Sequence, residues 1–147
     1  MENTNKYMMI ALKEAKKAYK NNEVPVGAVI VKNNVIISKG YNKKEKTNNV
    51  IKHAEIIAIE KACKKLNNWR LDDCEIYITL EPCLMCCGAI EQARISKIYY
   101  ATDSKLFGQI ENNNIVFKNN NKIEIHNNIY PELSKKILNN FFKLKRK

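Results

Sequence analysis

Short β-branched runs alternate with stretches of helical periodicity along most of this chain, and that alternation narrows its fold more than any other feature. Met8, Ala11, Leu12, Ala15, Ala18 and Tyr19 recur every three or four residues against Lys13, Glu14, Lys16, Lys17 and Lys20, which predicts an opening amphipathic helix. From Val24 to Lys39 the runs VPVGAVIV and VIIS flank Lys32-Asn33-Asn34 and read as a strand hairpin with an Asn-rich turn. A polar loop, roughly Gly40 to Lys52, leads to a second helical pattern from His53 to about Asn67, and CEIYITL from Cys74 to Leu80 is the next strand. Pro82 suits the first position of a further helix reaching about Gln92, because its missing N–H is unpaired there in any case. KIYYA (Lys97 to Ala101) and Ile123 to Ile125 complete the strands. A terminal helix is expected from Pro131 to about Lys145, with Leu133, Ile137, Leu138, Phe141 and Phe142 inward. Strands alternating with helices predict a three-layer α/β/α domain, its first strand pair antiparallel and its later strands parallel.

The 147 residues, 45% of them hydrophobic, suffice for one core, and no linker or repeat divides the chain, so one domain spanning 1–147 is expected. No run approaches the roughly 20 apolar residues that cross a bilayer, and the N-terminus reads as folded protein rather than a signal segment. Neither a membrane partner nor secretion is expected. Five cysteines, two of them in a C-x-x-C arrangement, suit a metal or redox site in a reducing cytoplasm better than a disulfide framework. The formal charge of +11 fits a polyanionic partner. The same excess of Lys would follow from the crowding of Asn, Lys and Ile expected of an A+T-rich genome, so charge alone leaves nucleic-acid binding open.

Chemistry concentrates in two segments, His53-Ala54-Glu55 and Pro82-Cys83-Leu84-Met85-Cys86. Cys83 and Cys86, three apart in an expected first helical turn, can turn both sulfurs to one point, where the helix dipole favours thiolates. Two thiolates and the His53 imidazole suit zinc, and three protein ligands leave the fourth position that marks a catalytic site. Glu55 is then the candidate proton carrier, reaching the site from a different side than His53. The plainer readings are a redox pair, or a closed structural zinc site with Cys87 as fourth ligand. The first does not call for the H-x-E segment, and Cys87 points about 100° round the helix from Cys86. Cys63 and Cys74 read as inert thiols, and His126 as a surface histidine.

The runs EVPVGAVIV (Glu23 to Val31), HAEIIAIEKA (His53 to Ala62) and IYITLEPCLMCCGAI (Ile76 to Ile90) resemble the bacterial tRNA-specific adenosine deaminases of the cytidine-deaminase superfamily. Trp69-Arg70-Leu71 and the ending NFFKLKRK (Asn140 to Lys147) extend the likeness over nearly the whole chain. The H-x-E and P-C-x-x-C pair is the signature of zinc-dependent base deaminases. The resemblance implies a five-stranded mixed sheet flanked by helices, a homodimer, one zinc per subunit, and conversion of adenosine to inosine at the wobble position of an arginine tRNA, gripped at its anticodon stem-loop. His53, Cys83 and Cys86 would hold the zinc and Glu55 would shuttle protons. Asn42 would hydrogen-bond the flipped base, a task an amide suits because it both donates and accepts; the alternative for Asn42 is a loop turn. Lys143, Lys145, Arg146 and Lys147 would neutralise tRNA phosphates, or form only a solvated tail. Guanine and cytosine deaminases share the H-A-E and E-P-C-x-M-C core, so a free-base deaminase is the alternative function, and a non-catalytic tRNA-binding subunit a further one. The chain departs from the resemblance in two places. Asn49-Val50-Ile51-Lys52 precedes His53 where a D-P-T-A-like run is usual, putting a cation near the pocket mouth. The polar loop Leu106 to Lys122 lacks the family's glycine-rich stretch.

Overall fold

The computed structural model describes residues 2–104, 108, 110 and 123–145, with the backbone only at Glu2. The expectations placed on Arg146 and Lys147 and on most of the Leu106–Lys122 loop lie outside the described residues. In chain order the elements are α1 (Glu2–Lys20), β1 (Gly27–Lys32), β2 (Val35–Tyr41), α2 (Ala54–Leu66), β3 (Cys74–Leu80), α3 (Leu84–Gln92), β4 (Lys97–Thr102), β5 (Glu124–His126) and α4 (Pro131–Lys145). The five strands form one sheet in the order β2-β1-β3-β4-β5. β1 is antiparallel to both β2 and β3, whereas β3, β4 and β5 run parallel. The fold is therefore the mixed, three-layer α/β/α arrangement anticipated from the alternation of patterns. None of the described helices is long and apolar enough to cross a membrane.

Alternation along the strands sorts the core into two layers. Ala28, Ile30, Ile76, Ile78, Ile98 and Tyr100 meet Ala54, Ala58 and Ala62 of α2 and Ile90 of α3. On the other face Val29, Val31, Tyr77, Tyr99 and Ala101 meet Tyr7, Met8, Ala11 and Leu12 of α1. Each isoleucine withdrawn wholly from water contributes about 1.5–3 kcal/mol, and those of β3, α3 and β4 are fully buried. Two glycines allow the helices to lie close to the sheet. A Cβ on Gly27 would stand 2.0 Å from the Ala11 carbonyl oxygen of α1, and one on Gly40 would stand 2.6 Å from that of Ala54 in α2. α4 joins the α1 layer, with Phe141 edge-on to Tyr19 and Ser134 donating its hydroxyl to the Thr79 carbonyl.

Local chemistry explains most boundaries. β1 begins at Gly27 and not at Val24, because Pro25 cannot donate to a ladder and Val26 N–H turns back to the Val24 carbonyl. Asn33 and Asn34 both take left-handed backbone angles (φ 51° and 62°), giving the tight two-residue hairpin that asparagine tolerates. α2 stops at left-handed Asn67, with Asn68 N–H bonded to the Cys63 carbonyl in a Schellman closure.

Three expectations need correction. Pro82 is not the first helical residue: Cys83 is extended (φ −76°, ψ 175°) and forms the N-cap, its carbonyl accepting the first helical bond from Cys87. Leu133 and Phe142 do not face inward, being 46% and 44% exposed, because the inner stripe of α4 is Ser134, Leu138 and Phe141 and residues next to it on the helix turn away by about 100°. The last strand is shifted by one residue, to Glu124–His126.

Candidate active site

The three sequence-predicted ligands meet at the adjoining N-termini of α2 and α3. His53 caps α2 from an extended backbone (φ −75°, ψ 158°), Cys83 caps α3, and Cys86 lies in the first turn of α3. His53 Nδ1 stands 3.7 Å from Cys83 Sγ and 3.6 Å from Cys86 Sγ. The ligand atoms of all three residues fall within 4.8 Å of one another. In a tetrahedron with metal–sulfur bonds near 2.3 Å and metal–nitrogen bonds near 2.0 Å, neighbouring donors are about 3.5–3.8 Å apart, which is the nitrogen–sulfur spacing found here. Soft sulfur with imidazole completes the fit, and these residues can hold a metal ion.

The Cys83 thiol is held down to about 4, chiefly by hydrogen bonding from the Cys86 thiol and then from His53. Cys86 is pushed up correspondingly, since it is the proton-bearing member of the pair and is buried. His53 is raised above its ordinary value by its hydrogen bond with Cys83. Cys87, buried and pushed up to about 12 by that burial, faces the Pro82 carbonyl as a packing residue and is not part of the cluster.

Glu55 lies in the first turn of α2, 4% exposed, with its carboxyl against the Cys86 thiol. Burial raises its proton affinity above that of an ordinary glutamate, while His53 opposes the rise. A carboxyl group so placed beside three atoms that can hold a metal ion has the geometry to take up and release protons at whatever binds there.

Asn42 is also buried, at 8% exposure, immediately after β2. Its side-chain oxygen accepts the Lys44 N–H (3.2 Å) and its amide donates to the Val24 carbonyl (3.3 Å), so part of its hydrogen-bonding capacity shapes the loop. Lys52 is drawn into an ion pair with Glu60 (2.7 Å). Lys143 and Lys145 are exposed in the last turn of α4, with the Lys145 ammonium 5.7 Å from the Phe141 ring centre.

Two carboxylates without a role in the sequence reading flank this site. Glu23, 1% exposed, accepts the N–H groups of Glu45 (2.9 Å) and Lys46 (2.7 Å), fastening the loop that leads to His53. Glu81, 3% exposed, accepts the Ser104 N–H at 3.0 Å. The only signal in the sequence is an acidic residue set directly against an apolar or Pro-Cys run.

The comparisons with known proteins agree with this geometry. The model of the MafB19-like deaminase family matches residues 2–146. A Rickettsia bellii protein named tRNA-specific adenosine deaminase is 44% identical over 92% of this chain and 97% of its own length. A solved structure from a study of A-to-I editing by tRNA:A34 deaminases at the wobble position superposes with a TM-score of 0.85 at 35% identity, covering 90% of this chain and 98% of that one. The Bacillus subtilis guanine deaminase structure is 41% identical over a shorter match, 67% of this chain and 63% of its own, with a TM-score of 0.64. The chain belongs to the deaminase family that includes the tRNA-specific adenosine deaminases.

Proposed function

We propose that this protein is a zinc-dependent hydrolase that converts adenosine to inosine at the wobble position of tRNA. The observation that carries the proposal is the buried Glu55 carboxyl set against the His53, Cys83 and Cys86 cluster. His53, Cys83 and Cys86 would hold one zinc per subunit, which when bound would lower the pKa of water from about 15.7 to about 7 and so would supply a nucleophile at neutral pH. Glu55 accepts the proton given up by that water and passes it to the ring nitrogen beside the amine-bearing carbon. The oxygen of the water bonds to that carbon, and Glu55 then takes the remaining proton of the added hydroxyl and delivers it to the amine, so that the C–N bond breaks and ammonia is lost as the C=O bond forms. Asn42 keeps a second amide hydrogen and an oxygen lone pair for the edge of the flipped base, beside the bonds that hold its loop.

The substrate in this proposal is the anticodon stem-loop of an arginine tRNA, met in the cytoplasm by a homodimer of one-domain subunits. Lys143, Lys145, Arg146 and Lys147 contribute phosphate contacts. The match to the Rickettsia bellii adenosine deaminase over 97% of its length supports this choice of substrate. The shorter match to guanine deaminase favours a second reading, deamination of a free base. Incubation of zinc-loaded protein with an arginine tRNA bearing A at the wobble position, alongside free adenosine, guanine and cytosine, separates the two. Inosine in the tRNA alone is expected, and product from a free base with unchanged tRNA would move the protein to the second reading. Absence of any product from zinc-loaded protein would favour a non-catalytic binding subunit.

A further inference from the structure

Between the last turns of α1 and α4 lies an open hollow of about 500 Å³ lined by Tyr19, Asn140, Lys143 and Leu144. Its place follows from how the two helices cross the sheet. α1 starts beside the β1–β2 turn, where Tyr7 donates its hydroxyl to the Asn34 carbonyl at 2.8 Å, and passes over Gly27 at Ala11 and Ala15. Gly27 opens β1 and donates its N–H to Thr79 near the end of β3, the strand that runs on to Cys83. Tyr19 comes four residues after Ala15, about 6 Å further along the helix and away from the β1–β2 turn. α4 leaves the same end of β3, Ser134 donating to the Thr79 carbonyl, and reaches Tyr19 with Phe141 at a ring distance of 6.2 Å. The hollow therefore opens at the end of the sheet that carries the metal-ligating cluster. Backbone links the two: the Ala18 carbonyl accepts the Glu23 N–H at 2.9 Å, and the Val24 carbonyl, one residue on, accepts the Asn42 amide.

The lining combines groups of different chemistry. Tyr19 offers a partly buried ring steadied edge-on by Phe141, and Leu144 an apolar side chain that is 61% exposed. Asn140 offers an amide that both donates and accepts, and Lys143 a cation. None of the four is acidic, and Lys20 follows Tyr19 directly. Lysines in last turns complement helix dipoles, which accounts for Lys20 and Lys143 without any ligand. It does not account for a hollow whose other walls are a ring, an amide and an aliphatic chain. Those walls match the parts of a nucleotide: a planar base to lie against a ring, donors and acceptors along the base edge, and a phosphate. The volume is that of a small-ligand site and admits one nucleotide. A chain charge of +11 draws such a polyanion in.

We propose that this hollow receives one nucleotide of the RNA substrate other than the one deaminated, its base against Tyr19 and Leu144, its base edge at Asn140 and its phosphate at Lys143. This rests on the tRNA reading above. It gives the substrate a second point of attachment, one that a free base or nucleoside cannot use while seated at the metal-ligating cluster.

The test uses full-length, zinc-loaded protein carrying Glu55→Ala, which binds without turning over, and a fluorescent anticodon stem-loop. Adding Asn140→Ala or Leu144→Ala, both on exposed helix surface, is expected to weaken binding about threefold to tenfold each, with zinc content and the salt dependence of affinity unchanged. Lys143→Ala is expected to lower affinity and the salt slope together. Abasic sites placed one at a time through the stem-loop then identify the base. At one position away from the target, removing the base weakens binding to the parent, and Asn140→Ala with Leu144→Ala adds little further loss because both changes disturb one contact. Losses that add in full at every position would overturn the proposal. So would unchanged affinity in both Asn140→Ala and Leu144→Ala, which would leave Lys143 as a phosphate contact only. A shift in the oligomeric state of these variants by light scattering would overturn it as well, making the hollow a face between copies of this chain. Failure of the Glu55→Ala parent to bind the stem-loop would bring down the tRNA reading itself, and this inference with it.

Discussion

The two ends of the sheet are built by different rules. At the end where β3 and β4 finish, Glu23, Asn42, Glu55, Thr79, Glu81, Thr102 and Ser134 are all buried. Their partners there are largely backbone: Glu23 takes two loop N–H groups and Thr79 Oγ1 accepts the Gly27 N–H at 3.1 Å. At the opposite end Asn33, Asn34, Asp73, Glu75, Ser96 and Lys97 line an open hollow of about 250 Å³ and meet solvent. Lys97 there reaches Glu75 at 3.6 Å and Glu124 at 3.9 Å across exposed ground. Burying polar groups costs free energy that exposed pairs never incur. The fold bears that cost at one end, where loops have to be held around a reactive cluster.

The largest effect that would sharpen this contrast comes from the metal. Chelation is expected to abolish turnover, and added zinc to restore it, with one equivalent bound per chain by elemental analysis; full activity in demetallated protein would make the cluster ornamental. Next, Glu55→Ala should lower kcat by about 10²–10⁴-fold with zinc content unchanged. Because burial raises Glu55 above the usual carboxylate range and the carboxylate is the proton-accepting form, activity is lost as pH falls through its raised pKa. The acid limb of kcat/KM should therefore lie above about 4.3, the value of a solvated glutamate. A limb at or below that value would remove Glu55 from the proton path.

Glu23→Ala tests the contrast away from the chemistry. The Glu45 and Lys46 N–H groups would lose their acceptor, at a cost of about 1–3 kcal/mol in denaturant unfolding. No change in stability would mean that the loop is held by other bonds. Smaller still, replacing Lys143 and Lys145 with Ala should reduce the dependence of log affinity on log salt by about 0.7–0.9 for each phosphate left without its cation. An unchanged slope would leave the end of α4 as a solvated tail.

Sequence and structure agree where the pattern is local. Apolar stripes marked α1 and α2, and the Asn33-Asn34 pair marked a turn that its left-handed angles require. His53 of the H-x-E segment and the two cysteines of the C-x-x-C segment converge to within 4.8 Å, since each segment sits at one helix start. Agreement fails where a residue answers to distant backbone. Glu23 bonds to N–H groups more than twenty residues later and Glu81 to one just as far away, so no short periodicity announces either. Pro82 looked like a first helical residue, but the extended backbone at Cys83 moves the helix start two residues on. Leu133 and Phe142 matched an apolar stripe in type, while the buried Ser134, donating to the Thr79 carbonyl, fixes which face of α4 turns inward.

The smallest expected effect is Lys97→Ala, and it bears most directly on whether the two ends are independent. Lys97 begins β4, its side chain is 37% exposed, and both of its ion pairs are long and solvated. Pairs of this kind contribute about 0.2–1 kcal/mol. β5 keeps its parallel ladder to β4 without them, and His126 keeps its stacking on Tyr99 at 4.7 Å. Stability should therefore change by no more than about 0.5 kcal/mol, with kcat/KM on the tRNA substrate unaltered. A clear fall in kcat/KM at unchanged stability would break the comparison in an informative way. β4 ends at Thr102, whose carbonyl bonds to Glu81, so the disturbance would have travelled along one strand from an exposed charge to the buried carboxylate beside Cys83.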